Sequence, residues 1–218
     1  MKDQITIYSR SNNDFLFERM KEFIPEGYNI VKCDQFNEWH EADDYLYHII
    51  DTCPTRWAIN IDIDCYVFKW KFIFEIIDSM RKNDINRFGM PDSVKYHPQR
   101  FHSPYSMNPF FNIFDVVKIR GQKEKDGLSW EEISQTRIGR ENNEPFHGFF
   151  QWLAVDSSAD LMSTQMHHDG MTTIGSNMLL HTWYSRFYGH DSPEGDYHTQ
   201  RIDNVYKEAL ELKNKLNV

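Results

Sequence analysis

Cysteine is scarce in this chain. Its 218 residues hold three, Cys33, Cys53 and Cys65. The count is odd and no pair has CxxC spacing, so a disulfide framework is not expected and a reducing compartment is. Positive charge is also short, with 24 Lys and Arg against 33 Asp and Glu and a net charge of −9. Nucleic-acid backbones and anionic lipid are gripped by Lys and Arg, so neither is expected as a partner. A small phosphate ligand stays compatible, because net charge says little about one local site. No window reaches the ~20 apolar residues of a membrane span, and the opening MKDQITIYSRSNND has no apolar leader, which sets a cytoplasmic expectation. Gly, Pro and Ser never cluster into a linker, and there is no repeat or low-complexity tract, so one domain over 1–218 is the simplest organisation. Aromatic residues, by contrast, are plentiful: 16 Phe, 11 Tyr and 6 Trp. That load argues for an ordered apolar core rather than a disordered chain.

The first part of the chain alternates two periodicities. Gln4–Tyr8, Tyr28–Lys32 and Arg56–Ile63 read as short strands. Between them, Asp14–Ile24 and Glu38–Asp51 carry apolar residues at helical spacing, and Tyr66–Arg81 is long and apolar nearly all round, as in a buried helix. This βαβαβα rhythm over the first ~85 residues predicts a mainly parallel sheet with helices on its faces. The second half is less regular. Phe88–Met90, Phe110–Ile119 and Met171–Tyr184 read as strand material, and Phe149–Val155 and Thr199–Leu216 as helices. Ser129–Thr136 reads as a short helix opened by a Ser129/Glu132 capping box.

Chemistry concentrates in Asn60-Ile61-Asp62-Ile63-Asp64, where an apolar strand ends in two carboxylates one residue apart. Residues i and i+2 of a strand project to the same face, so Asp62 and Asp64 are expected to point at one ligand. The C-terminal edge of a parallel sheet is where open α/β folds bind small molecules. Two neighbouring carboxylates repel unless a cation sits between them, and oxygen ligands favour Mn²⁺ or Mg²⁺, ions that commonly bridge to phosphate. His181, after the apolar run Met178–Leu180, offers an imidazole to complete such a site. Arg10 and Arg186 offer guanidinium forks that match phosphate oxygens. Asp169, in Met166-His167-His168-Asp169-Gly170, leads the carboxylates of the second half as a general base, with Asp156 behind it.

With these residues in place, the chain resembles the GT-A class of nucleotide-sugar glycosyltransferases, in a compact single-domain form of microbial or viral type. The resemblance implies a Rossmann-related fold, with a mixed, mainly parallel central sheet flanked by helices. Residues 1–85 would form the nucleotide-binding βαβ half and 86–218 the acceptor-side half. Tyr8, Ser9 and Arg10 stand where the family contacts base and ribose. Asp62-Ile63-Asp64 matches the DxD motif that holds a divalent cation against the diphosphate, with Asp62 contacting the cation or ribose. Asn108-Pro109-Phe110-Phe111-Asn112 looks like the family's Phe-Asn segment near the acceptor. His181 stands where many members supply a further metal ligand, although the HxxGxxKPW pattern of one retaining family is absent. The implied reaction is hexosyl transfer from a nucleotide-diphospho-sugar, a UDP-sugar by resemblance, to a carbohydrate hydroxyl, by an inverting or a retaining route.

Three other readings stay open at this level. His167, Asp169 and His198 compose a 2-His-1-carboxylate set for Fe(II), with Arg201 to bind an acid cosubstrate. That oxygenase reading requires a double-stranded β-helix. Asp62-Ile63-Asp64 also resembles a phosphatase nucleophile loop, with Tyr66 where Thr or Val is usual. A non-catalytic carbohydrate-binding module would use Trp130, Trp152, Tyr184 and Tyr188 as stacking surfaces.

Overall fold

Short all-apolar runs and amphipathic stretches alternate along the chain, and each forms the element its period dictates. The computed structural model describes residues 2–91, 106–136, 144–156, 160–161, 164–166, 172–174 and 178–216. In chain order the elements are β1 (Ile5–Arg10), α1 (Asp14–Lys21), β2 (Asn29–Cys33), α2 (Ala42–Thr52), β3 (Trp57–Ile61), β4 (Cys65–Val67), α3 (Trp70–Lys82), β5 (Arg87–Pro91), β6 (Met107–Asp115), α4 (Val116–Asp126), α5 (Trp130–Ser134), α6 (His147–Asp156), β7 (Asp160–Leu161), β8 (Thr164–Met166), β9 (Thr172–Ile174), β10 (Leu179–His181) and α7 (Pro193–Leu216).

The main sheet has six strands in the order β2-β1-β3-β6-β5-β7. β1 runs parallel to β2 and to β3. β6 is antiparallel to both β3 and β5, and β7 is parallel to β5. Among the described strands only β6 is reversed, which makes this the mixed, mainly parallel sheet flanked by helices that the GT-A resemblance implies. Alternation along the central strands sorts side chains to two cores. Ile5, Ile7, Trp57, Ile59 and Ile61 meet Leu16 and Met20 of α1 and Ile73 and Ile77 of α3. Tyr8 and Ala58 face the other way, toward Leu46, Ile49 and Ile50 of α2, Val116 and Ile119 of α4, and Phe149 and Phe150 of α6. Strands buried on both faces read as continuous apolar runs, and every residue of β3 is buried.

A second sheet, β4-β10-β9-β8, is antiparallel throughout. It accounts for one departure from expectation. Cys65–Val67 is strand, and the helix expected from Tyr66 begins only at Trp70. Ladder bonds to β10 claim this segment, and Val67 pairs with Leu179. The strand expected over Phe110–Ile119 likewise ends at Asp115. The Asp115 carboxylate accepts from Lys118 N at 3.3 Å, caps α4, and takes the Arg56 guanidinium at 2.8 Å. Val116–Ile119 therefore turn into a helix. The last helix starts at Pro193 rather than Thr199, with proline at a first-turn position where its missing N–H costs nothing. The capping box at Ser129 and Glu132 forms as expected.

Where β6 passes β5 the register shifts between Gly89 and Pro91. Gly89 fits there because a Cβ would stand 2.4 Å from Asn112 Nδ2. The C-terminal ends of β1 and β3 and the start of β6 share one edge of the sheet, since Ile61 pairs with Phe111.

Candidate metal centre

At that edge β3 ends at Ile61, and the Asp62 N–H donates to the Phe110 carbonyl at 2.8 Å. The chain then turns sharply, with the Cys65 N–H donating to the Asp62 carbonyl at 3.0 Å. A turn, not strand alternation, thus brings Asp62 and Asp64 together, and it leads into β4 instead of a helix. The β4–β10 register sets His181 opposite Cys65. One step on, the Thr182 N–H donates to the Asp64 carbonyl at 3.1 Å, and the Thr182 hydroxyl donates to Asp64 Oδ2 at 3.2 Å. His181 Nε2 stands 3.3 Å from Asp64 Oδ1. The imidazole stacks on Phe110 at 4.1 Å with 9° between planes, and Trp183 lies 4.3 Å away. Asp62, Asp64 and His181 each offer one ligand atom, all within 4.8 Å of one another.

The electrostatics divide the two acids. Burial, then the neighbouring Asp64 charge, pushes the Asp62 pKa up to about 6, against the pull of His181 and Arg10. Burial works the same way on Asp64, which is 1% exposed. There the charge attraction of His181 and the Thr182 hydroxyl outweigh it, and Asp64 sits below the usual carboxylate value. Asp64 Oδ1 is buried, and apart from the His181 Nε2 contact at 3.3 Å no donor reaches it. Two crowded carboxylates, one of them with a buried oxygen that only the imidazole approaches, and the imidazole itself fit a hard divalent cation such as Mn²⁺ or Mg²⁺.

The cluster lines a cleft of about 480 Å³. Arg10 at the end of β1, Ser11 and Asn12 just after it, and Phe36, Asn37 and Trp39 after β2 line it too, as do Asn108, Pro109, Glu144, Phe146 and Trp183–Arg186. Arg10 Nη1 is buried without a hydrogen-bond partner. Its guanidinium lies 5.9 Å over the Tyr45 ring, whose hydroxyl donates to Asn60 Oδ1 at 2.5 Å. Trp39, 59% exposed, donates its indole N–H to Glu144 Oε2 at 2.9 Å.

Of the residues singled out in the sequence, Arg10, Asp62, Asp64, His181 and Arg186 meet around this cleft. Tyr8 and Ser9 are buried and do not line it; the Tyr8 hydroxyl lies 3.4 Å from Thr52 Oγ1. Asp156 is the last residue of α6. Asp169 and His167 lie outside the described residues. The sequence reading missed Asn12, Asn37, Trp39 and Glu144. Asn12 follows β1, and Asn37 and Trp39 lie in the stretch between β2 and α2, beyond the C-terminal ends of these strands, the crevice position that the sheet order marks.

Among the aromatics expected to stack sugars, Trp152 is buried and Trp130 packs on Tyr47 at 4.5 Å. Tyr184 is exposed on the cleft wall. The oxygenase reading does not match the described architecture, a six-stranded α/β sheet beside a four-stranded antiparallel one. His198 is buried against Phe187, and Arg201 is bonded to main-chain carbonyls.

No protein-family model and no curated protein matches the chain. Among solved structures it is similar to a glycosyltransferase involved in glycosylation of the major capsid of PBCV-1, with 18% identity and a TM-score of 0.46 over 72% of this chain and 80% of that one. It is similar to 4-diphosphocytidyl-2C-methyl-D-erythritol synthase from Anaerococcus prevotii, with 9% identity and a TM-score of 0.43 over 72% of this chain and 87% of that one. A third is a Drosophila galactosyltransferase 7 mutant in complex with manganese, UDP-Gal and xylobiose, at 10% identity and a TM-score of 0.42 over 84% of this chain and 72% of that one. None of these likenesses gives a residue of this chain its role. Among the described residues no helix is long and apolar enough to cross a membrane.

Proposed function

We propose that this chain is a metal-dependent glycosyltransferase that moves a hexosyl group from a nucleotide-diphospho-sugar to a carbohydrate hydroxyl. The observation that carries this reading is the Asp62–Asp64–His181 cluster at the C-terminal edge of the sheet, in one cleft with the buried, unpartnered donor of Arg10. Asp62, Asp64 and His181 would hold Mn²⁺ or Mg²⁺, which supplies positive charge against a diphosphate leaving group. Arg10 donates to a phosphate oxygen from one wall and Arg186 from another. Tyr8 and Ser9 serve the nucleotide from beneath, by holding the end of β1 from which Arg10 projects. A UDP-sugar is the favoured donor on the resemblance described above. Asp169 is proposed as the base for the acceptor hydroxyl, with Asp156 second, if the reaction inverts the anomeric centre.

The chain is read as one domain over 1–218. Its donor half (1–85) and acceptor half (86–218) share one sheet through the β3–β6 pairing. The three cysteines are free and buried, which supports the proposed cytoplasmic location.

The test is a thermal-shift panel of nucleotide sugars with and without Mn²⁺, because a ligand that binds only the folded state raises its apparent stability. A UDP-sugar with Mn²⁺ is expected to raise Tm, and excess chelator to abolish the shift. Equal hydrolysis of a nucleotide sugar in excess chelator, or no shift with any nucleotide sugar, would sink the reading.

A further inference from the structure

The segment just past His181 is bent in a way side chains resist. Trp183 and Tyr184 both have a φ of 63°, in the left-handed region. For non-glycine residues this costs roughly 1–2 kcal/mol each, and such backbone persists only where its surroundings over-determine it. Arg201 on α7, 8% exposed, is the group that grips it. Its Nη1 donates to the Thr182 carbonyl and its Nη2 to the Trp183 carbonyl at 2.5 Å. The same Nη2 lies 3.3 Å from His198 Nδ1, and the His198 ring lies 4.9 Å from Tyr184. Both gripped carbonyls fall within two residues of His181. The Trp183 ring rests 4.3 Å from the imidazole, and the bend carries Tyr184, Ser185 and Arg186 into the cleft wall.

We propose that Arg201 is a positioning residue for the candidate metal centre. Its planar fork holds the left-handed Trp183–Tyr184 pair, and through that pair it sets the His181 ring and presents Arg186 to the cleft. A lysine carries its three donors on one compact, rotatable ammonium and lacks the planar fork that fixes two carbonyls at a set spacing. The inference rests on Asp62, Asp64 and His181 being metal ligands.

The experiment titrates the full chain with Mn²⁺ alone by calorimetry, far below Tm, and follows amide hydrogen exchange over 181–186. Arg201→Lys is expected to weaken Mn²⁺ binding ~10-fold, as loss of a group supporting a ligand does, and to speed exchange in the segment. Ile202→Val, a stability control in the adjacent core position, is expected to leave Mn²⁺ affinity unchanged. Asparagine accepts the left-handed region and valine does not. Tyr184→Asn should therefore restore much of the Mn²⁺ affinity in the Arg201→Lys background, while Tyr184→Val alone should weaken it with Arg201 intact. An Arg201→Lys protein that melts earlier but binds Mn²⁺ as tightly as the parent would overturn the proposal and leave the metal reading standing. Unchanged Mn²⁺ affinity in Tyr184→Val would also overturn it, even if Arg201→Lys fails to fold. A parent chain that binds no Mn²⁺ removes the metal reading and the proposal with it.

Discussion

Asp64 carries the most exacting position of any single side chain in the cleft. It is fully enclosed, one oxygen takes the Thr182 hydroxyl, and the other has only the His181 imidazole beside it at 3.3 Å. Asp64→Asn keeps the shape and removes the charge. Mn²⁺ affinity is expected to fall at least ~100-fold, the upper range for disturbing a metal site through its surroundings alone, while Tm falls, because an Asp64 pKa below the usual value means the folded state favours the charged form and the change leaves the His181 side of a buried pair without its partner. Calorimetric titration and a melting curve check both halves. Asp62 gives a pH signature. Its folded-state pKa of about 6 lies above the 3.8 of an ordinary aspartate. The folded state then holds a proton that the unfolded state has released, so the ion-free protein loses stability as pH rises from about 4 to about 6. Mn²⁺ affinity should move the opposite way and weaken as pH falls through about 6, because the proton competes for the ligand. Flat Mn²⁺ affinity between pH 5 and 7.5 would contradict the assignment of Asp62. Asp62 and Asp64 were legible in the sequence less from their spacing, which is common, than from their place at the end of an apolar strand. Trp39 was not, because an indole in a helical-looking run reads as core, and only the sheet order places it beside the cleft.

The elements show where local pattern decides and where pairing overrides it. The strands and helices up to β3 were legible because their apolar periods are distinct. β4 was hidden, since Cys65 through Ile77 is apolar nearly all round and a single long helix accounts for it equally well; the ladder to His181, far along the chain, decides. The α4 boundary was hidden by the apolar run Phe110–Phe114 continuing into Val116 and Val117, though Asp115 held the signal as a cap. Asp115→Ala removes that cap and the Arg56 contact together. It is expected to cost about 1–2 kcal/mol, read as a lower urea midpoint with an unchanged slope. An unchanged midpoint would mean that α4 starts without its cap.

Over the whole molecule, ion binding and folding are linked quantities. At a free Mn²⁺ concentration 100 times its Kd, the folded state gains about 2.7 kcal/mol. For a chain of this size that is roughly 5–10 °C in Tm, reversed by chelator and absent in Asp64→Asn. The α/β class of the whole was legible from its first third, where the rhythm is regular. The four-stranded antiparallel sheet was not, because each of its pairings is only three residue pairs long and β4 comes from a segment far from the other strands.

The hydroxyl of Thr182 reaches Asp64 across 118 positions of sequence. A chain emerging from the ribosome therefore exposes both carboxylates long before the histidine that completes their cage exists. On the proposed reading, the nascent protein would have no finished cage for a divalent ion during synthesis, and chelation would wait until β10 has docked on β4.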